Sequence, residues 1–134
     1  MITRIAHIGI AVKNLNDAQT VFHTLLGKTP SHAQRVEEQH VDVSSFHIDD
    51  TNIELTCGIS PESPISKFIE KRGEGIHHIA FETDDIHAEL ARLKAAGVTL
   101  IDQEPRKGAD NYLVAFIHPK AANGVLVEIS QKAG

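Results

Sequence analysis

IAHIGIAV, residues 5–12, is an apolar strand carrying a single histidine, and it has a counterpart in IHHIAFET, residues 76–83. Each runs into a turn of amide or acidic residues, Asn14-Leu15-Asn16-Asp17 and Asp84-Asp85, and then into a helical stretch closed by glycine. The first helix is predicted from about Leu15 to Leu26, before Gly27, with Asn16 or Asp17 as N-cap. Its Ala18, Val21, Phe22, Leu25 and Leu26 recur at spacings of three and four and predict one buried stripe. The second is predicted from about Ile86 to Ala96, before Gly97, with Ile86, Leu90, Leu93 and Ala96 as its stripe. Behind the first helix come Val41 to Ile48, a turn at Asp49 to Asn52, and a strand Ile53 to Cys57. Behind the second come strands Val98 to Ile101 and Tyr112 to His118, a turn through Ala121 to Gly124, and a strand Val125 to Ser130.

Each half therefore reads strand, helix, then two or three strands. Module one covers about residues 1–58 and module two about 75–134, joined by a connector over about 59–74. The connector holds the turn signal Ser60-Pro61-Glu62-Ser63-Pro64, a short amphipathic segment Ile65 to Lys71 and the exit Gly73-Glu74-Gly75. Neither half has core enough to be comfortable alone, so the expectation is one domain built from both.

Composition narrows what such a domain does. Of 134 residues, 41% are hydrophobic and 23% charged, the profile of an ordinary globular protein. A formal charge of −5 repels polyphosphate backbones, which argues against a nucleic-acid partner. No apolar run reaches the roughly 20 residues that cross a bilayer, and MITRIAHIGI turns polar too soon for a signal peptide, so no membrane association and a cytoplasmic location are expected. Cys57 stands alone, which excludes an internal disulfide framework and a thiolate metal cage. Gly73 and Gly75 lack the lysine and hydroxyl residue of a phosphate-cradling loop.

The nine histidines are the anomaly. His7 and His78 occupy matching places in the two units, 71 positions apart, each followed by Ile and a small residue. Glu54 (in NIELT) and Glu128 (in LVEIS) match each other in the closing strands. Side chains alternate across a strand. Ala6, Ile8, Ile10 and Val12 thus share one face and His7 takes the other. Ile79 and Phe81 share their face with His77, which selects His78, with Ala80, for the opposite side. Glu54 opposes Ile53 and Leu55, and Glu128 opposes Val127 and Ile129. All four point away from the faces that the helices are expected to cover. A lone histidine on a strand is most often packed or solvated, and so is a lone glutamate. Two residue types at two repeated positions is the coincidence that favours a site. Two imidazoles and two carboxylates suit one divalent ion of the Co, Mn, Ni, Fe or Zn type and leave two octahedral positions for water or substrate. His23, His32, His40, His47 and His87 are read as surface or core residues.

The series HIGIAV, SPISKFIEKRGEGIHHIAF (63–81), VAFIHPK (114–120) and GVLVEIS (124–130), in that order, resembles the glyoxalase or vicinal oxygen chelate superfamily, and within it the methylmalonyl-CoA epimerases. The resemblance covers nearly the whole chain. It implies an α+β glyoxalase-type fold in which two paired βαβββ modules form a metal-binding cup. It places metal ligands on His7, Glu54, His78 and Glu128, one divalent ion per chain with cobalt favoured, and catalytic carboxylates on Glu128 and Glu54. Lys120 is assigned to substrate binding. The implied activity is interconversion of (2R)- and (2S)-methylmalonyl-CoA by proton removal and return at C2, through an enolate that the metal stabilises. A CoA thioester substrate and a homodimer follow by the same analogy.

One departure stands out. Some relatives place a glutamate on the strand after an EQG motif, whereas EQHVDVSSF (38–46) puts Val43 there. Glu54, a water, a carboxylate such as Asp42 or a shuttling group then handles the second proton. A lactoylglutathione lyase of glyoxalase I type and a metal-free small-molecule binding protein of the same superfamily are the alternatives. The first needs the same metal, and the second requires none of the four residues.

Overall fold

Asn14 starts the first helix. Hydrogen bonding along the opening strand persists to Val12, whose N–H donates to the Thr56 carbonyl at 2.9 Å. Asn14, still extended at φ −135°, is then placed for its side chain to accept from the Asp17 N–H at 3.0 Å. It caps the helix in place of the expected Asn16 or Asp17. The computed structural model describes residues 1–133.

In chain order the elements are β1 (Ile2–Ala11), α1 (Leu15–Leu26), β2 (His32–Val36), β3 (Val41–Ile48), β4 (Thr51–Gly58), α2 (Pro64–Arg72), β5 (Gly75–Thr83), α3 (Ile86–Ala95), β6 (Arg106–Lys107), β7 (Tyr112–Ile117) and β8 (Leu126–Lys132). The α+β class is as expected, and β-α-β-β-β occurs on both sides of α2. Two short strands, β2 and β6, were not expected separately. The expected strand at Val98 to Ile101 reduces to one bridge, Leu100 with Ile117. By contact density the chain forms two compact units, Met1–His7 with His78–Gly134, and Ile8–His77.

In the unit Ile8–His77 the strands run β2-β3-β4-β1, with β2, β3 and β4 antiparallel in turn. Helix α1 lays Leu15, Ala18, Phe22 and Leu26 on Val12, Phe46 and Leu55. Its stripe is narrower than expected: Val21 and Leu25 are 53% and 68% exposed. At 100° per residue they fall to one side of the arc through Ala18, Phe22 and Leu26, and the sheet reaches only that arc. Gly27 ends the helix at φ +67°, where a side chain would be strained. Ser63 caps α2 by accepting from the Ile65 N–H at 3.2 Å, with Pro64 in the first turn.

In the other unit the order is β1-β5-β8-β7-β6, with β5 parallel to β8 and the pairs β7/β8 and β6/β7 antiparallel. Asp85 caps α3 by accepting from the Ala88 N–H at 3.1 Å. Ile86, Leu90 and Leu93 of that helix pack on Phe81, Ala115, Ile117, Val127 and Ile129. Burying a side chain such as Ile86 contributes about 1.5–3 kcal/mol, so this layer decides which face of β5, β7 and β8 is core. The remaining face carries His78, Glu128 and Ser130 among apolar residues such as Ala80 and Phe116.

Candidate metal centre

Because Val127 and Ile129 lie beneath α3, the residue between them, Glu128, is turned to the opposite face of β8. Ala80 is its register partner on β5 and Phe116 its partner on β7. His78, two residues before Ala80, shares that face. His7, at the end of the β1 segment belonging to this unit, meets them there. His7 Nε2 and His78 Nε2 are 2.9 Å apart, with the rings nearly perpendicular at 88°. Glu128 Oε1 lies 3.7 Å from His7 Nε2 and 3.5 Å from His78 Nε2. The side chains are nearly buried, at 15%, 11% and 9% exposure for His7, His78 and Glu128.

These separations can be tested against an ion. Two ligands about 2.1 Å from a shared cation, subtending about 90–110°, lie roughly 3.0–3.4 Å from each other. The three measured separations fall in or within a few tenths of an ångström of that window, so the donor set fits a divalent metal. Burial, and to a lesser extent the positive charge of Arg4, push the His7 imidazole down to about 4. At neutral pH it is therefore uncharged, the form that ligates metal.

His77 turns the other way and meets the Phe68 ring edge-on at 4.9 Å, and burial lowers its basicity. Glu54 lies in the middle of β4 in the unit Ile8–His77. It is partly buried, opposite Ser45, and on the face away from Leu55 and α1. Val43 shares that face, paired with Thr56. Asp42 does not: it pairs in register with Cys57, which packs on the α1 side, and its carboxylate accepts from Arg35 Nε at 2.7 Å and Nη2 at 3.0 Å. The guanidinium holds the Asp42 carboxyl below its usual range. Lys120 is exposed in a short 3-10 turn, Pro119–Ala122, where its N–H donates to His118 Nδ1 at 3.1 Å.

A superfamily model described as Glyoxalase/Bleomycin resistance protein/Dioxygenase matches residues 6–116. The chain belongs to that superfamily. Within the glyoxalase superfamily it is 40% identical to the ethylmalonyl-CoA/methylmalonyl-CoA epimerase of Cereibacter sphaeroides, over 98% of this chain and 99% of that one. It is 37% identical to the mitochondrial methylmalonyl-CoA epimerase of Dictyostelium discoideum, over 98% of this chain and 80% of the relative. A solved Streptomyces coelicolor methylmalonyl-CoA epimerase, in complex with 2-nitronate-propionyl-CoA, superposes with a TM-score of 0.94 at 34% identity, covering 100% of this chain and 97% of that one.

The glyoxalase-type centre has neighbours beyond the four expected ligands. The Phe116 ring stands 6.1 Å from the His78 ring at 80°. Arg106 lies over Phe116, its Cζ 5.5 Å from the ring centroid. Asp102 Oδ2 accepts from the Phe116 N–H at 2.8 Å. The signal for Phe116 was available, since alternation from Ala115 and Ile117 puts it on the Glu128 face. Arg106 is legible only as one of several basic residues, with Lys71, Arg72, Lys107 and Lys120, that could gather near phosphates or lie scattered on the surface, because a strand of two residues has no legible period to place it.

Proposed function

We propose that this protein is a metal-dependent methylmalonyl-CoA epimerase. The observation that carries the reading is the convergence of His7, His78 and Glu128 on one point, in a chain that matches epimerases of that name over almost its full length. Support also comes from the ligand of the Streptomyces enzyme. A nitronate is planar at C2 with its charge on two oxygens, the shape and charge of an enolate.

The C2 proton of methylmalonyl-CoA lies between a thioester carbonyl and a carboxylate, and its acidity brings it within reach of a positioned carboxylate. His7, His78 and Glu128 would hold the ion, with Glu54 proposed as the fourth ligand from the duplicated sequence pattern. When bound, the ion supplies Lewis-acid stabilisation of the charge developing on the thioester oxygen, worth several kcal/mol. Glu128 acts as a base, taking the C2 proton on one face, a contribution of about 100- to 10,000-fold. Phe116, beside His78, gives that side of the centre an apolar wall. Epimerisation requires a proton on the opposite face. Val43 has no titratable group and Asp42 is bound to Arg35 on the α1 side, so Glu54 is assigned as the second base. Lys120 is assigned to the anionic end of CoA.

Cobalt as the native ion, a homodimeric assembly and a cytoplasmic location belong to the same proposal. Among the described residues no helix is long and apolar enough to cross a membrane. The test uses a single epimer of methylmalonyl-CoA: the metal-loaded protein converts it to an equilibrium mixture of both. Retention of the starting configuration contradicts the proposal.

A further inference from the structure

We propose that Arg106 is a specificity-determining residue, receiving an anionic group of the substrate beside the His7/His78/Glu128 centre. The inference rests on the thioester reading above.

Arg106 is the register partner of Val114, which shares its face of β7 with Phe116, and Phe116 is the register partner of Glu128. The guanidinium therefore lies on the same face as the metal-binding residues, two strands away from Glu128. Two partners hold it there. Its Cζ sits 5.5 Å from the Phe116 centroid, a cation–π distance, and its Nε is 3.6 Å from Asp102 Oδ1. Asp102 is itself tied to Phe116, accepting from that residue's N–H at 2.8 Å and donating its own N–H to the Phe116 carbonyl at 3.2 Å. Close packing fixes the strand as well. A Cβ added at Gly108 would meet Val114 Cγ1 at 2.8 Å, so β6 lies tight on β7.

With Nε turned to Asp102, the terminal nitrogens form the outer end of a fork, and the side chain is 56% exposed. A planar, permanently charged fork pre-organised in this way matches a carboxylate or a phosphate. The substrate carries both, as the malonyl carboxylate and the phosphates of CoA.

The test is calorimetric titration of the intact, metal-loaded protein with malonyl-CoA, acetyl-CoA and the phosphate-free malonyl thioester of N-acetylcysteamine. Arg106 is exposed, so Arg106→Gln should melt with the wild type, and Arg106→Lys provides a second variant that keeps the charge without the fork. If the carboxylate is the group bound, Arg106→Gln weakens malonyl-CoA and its phosphate-free analogue about 10- to 100-fold and leaves acetyl-CoA unchanged. If a phosphate is bound, both CoA esters weaken alike and the phosphate-free thioester does not. Arg106→Lys falls between in either case. Unchanged affinities for all three, or a wild-type protein that binds none, overturn the inference. Arg106-dependent binding in a wild-type protein that scrambles no configuration would discard the epimerase reading and leave this inference standing.

Discussion

His7 Nε2 and His78 Nε2 lie 2.9 Å apart, from strands separated by 71 positions in the chain. Two imidazoles held edge to face at that distance, with the Glu128 carboxylate beside both, present three donor atoms to one point. Removing one should dissolve the site. His78→Ala is expected to lose metal at stoichiometric loading, read by elemental analysis after gel filtration, and to lower turnover by about 1,000-fold or more, the several kcal/mol assigned to Lewis-acid stabilisation. A chelator should bring the wild type to the same level, and added divalent ion should restore it.

Glu128→Gln separates ligation from proton transfer. The amide oxygen remains a donor to the ion, but an amide is no base. The expected result is retained metal with kcat reduced about 100- to 10,000-fold, compared with the wild type by steady-state kinetics.

Asp42→Asn should leave turnover near that of the wild type, because Asp42 faces α1 and is engaged by Arg35. Its effect lies in acid. Arg35 lowers the folded-state carboxyl, so below the ordinary value, about pH 4, the unfolded chain binds a proton that the folded chain resists. The pair thus adds stability above about pH 4 and loses it as pH falls through the lowered folded value. The melting temperatures of wild type and variant should differ at neutral pH and converge in stronger acid, by a modest amount because both side chains are partly exposed.

Ser44 offers a stabilising change. It is fully buried, in register with Leu55 and on the α1 side of β3, and its hydroxyl has no hydrogen-bond partner among the described residues. Ser44→Ala removes a desolvated hydroxyl and should raise stability by about 1 kcal/mol, a shift of roughly 3 °C in a thermal melt.

The helices and the His7, His78 and Glu128 cluster were legible because each rested on a period. Gly27 and Gly97 marked helix ends, and alternation along 76–83 and 124–130 separated His78 from His77 and Glu128 from Val127. What escaped notice depended on partners far along the chain. Asn14 became the cap because β1 keeps bonding to β4 through Val12, a fact absent from the local string. Val21 and Leu25 look like core until the width of the sheet beneath α1 is known. Arg106 and Asp102 acquire their places only through Phe116, which each contacts from a different segment.

The central claim, that Glu128 takes the C2 proton at a centre where His7, His78 and Glu128 would hold a divalent ion, is tested most directly by deuterium exchange. Methylmalonyl-CoA is incubated in heavy water with metal-loaded protein and with chelated protein, and label at C2 is read by mass spectrometry. The account predicts rapid incorporation that follows metal occupancy and vanishes on chelation. Equal incorporation by the chelated protein, or none in either sample, would contradict it.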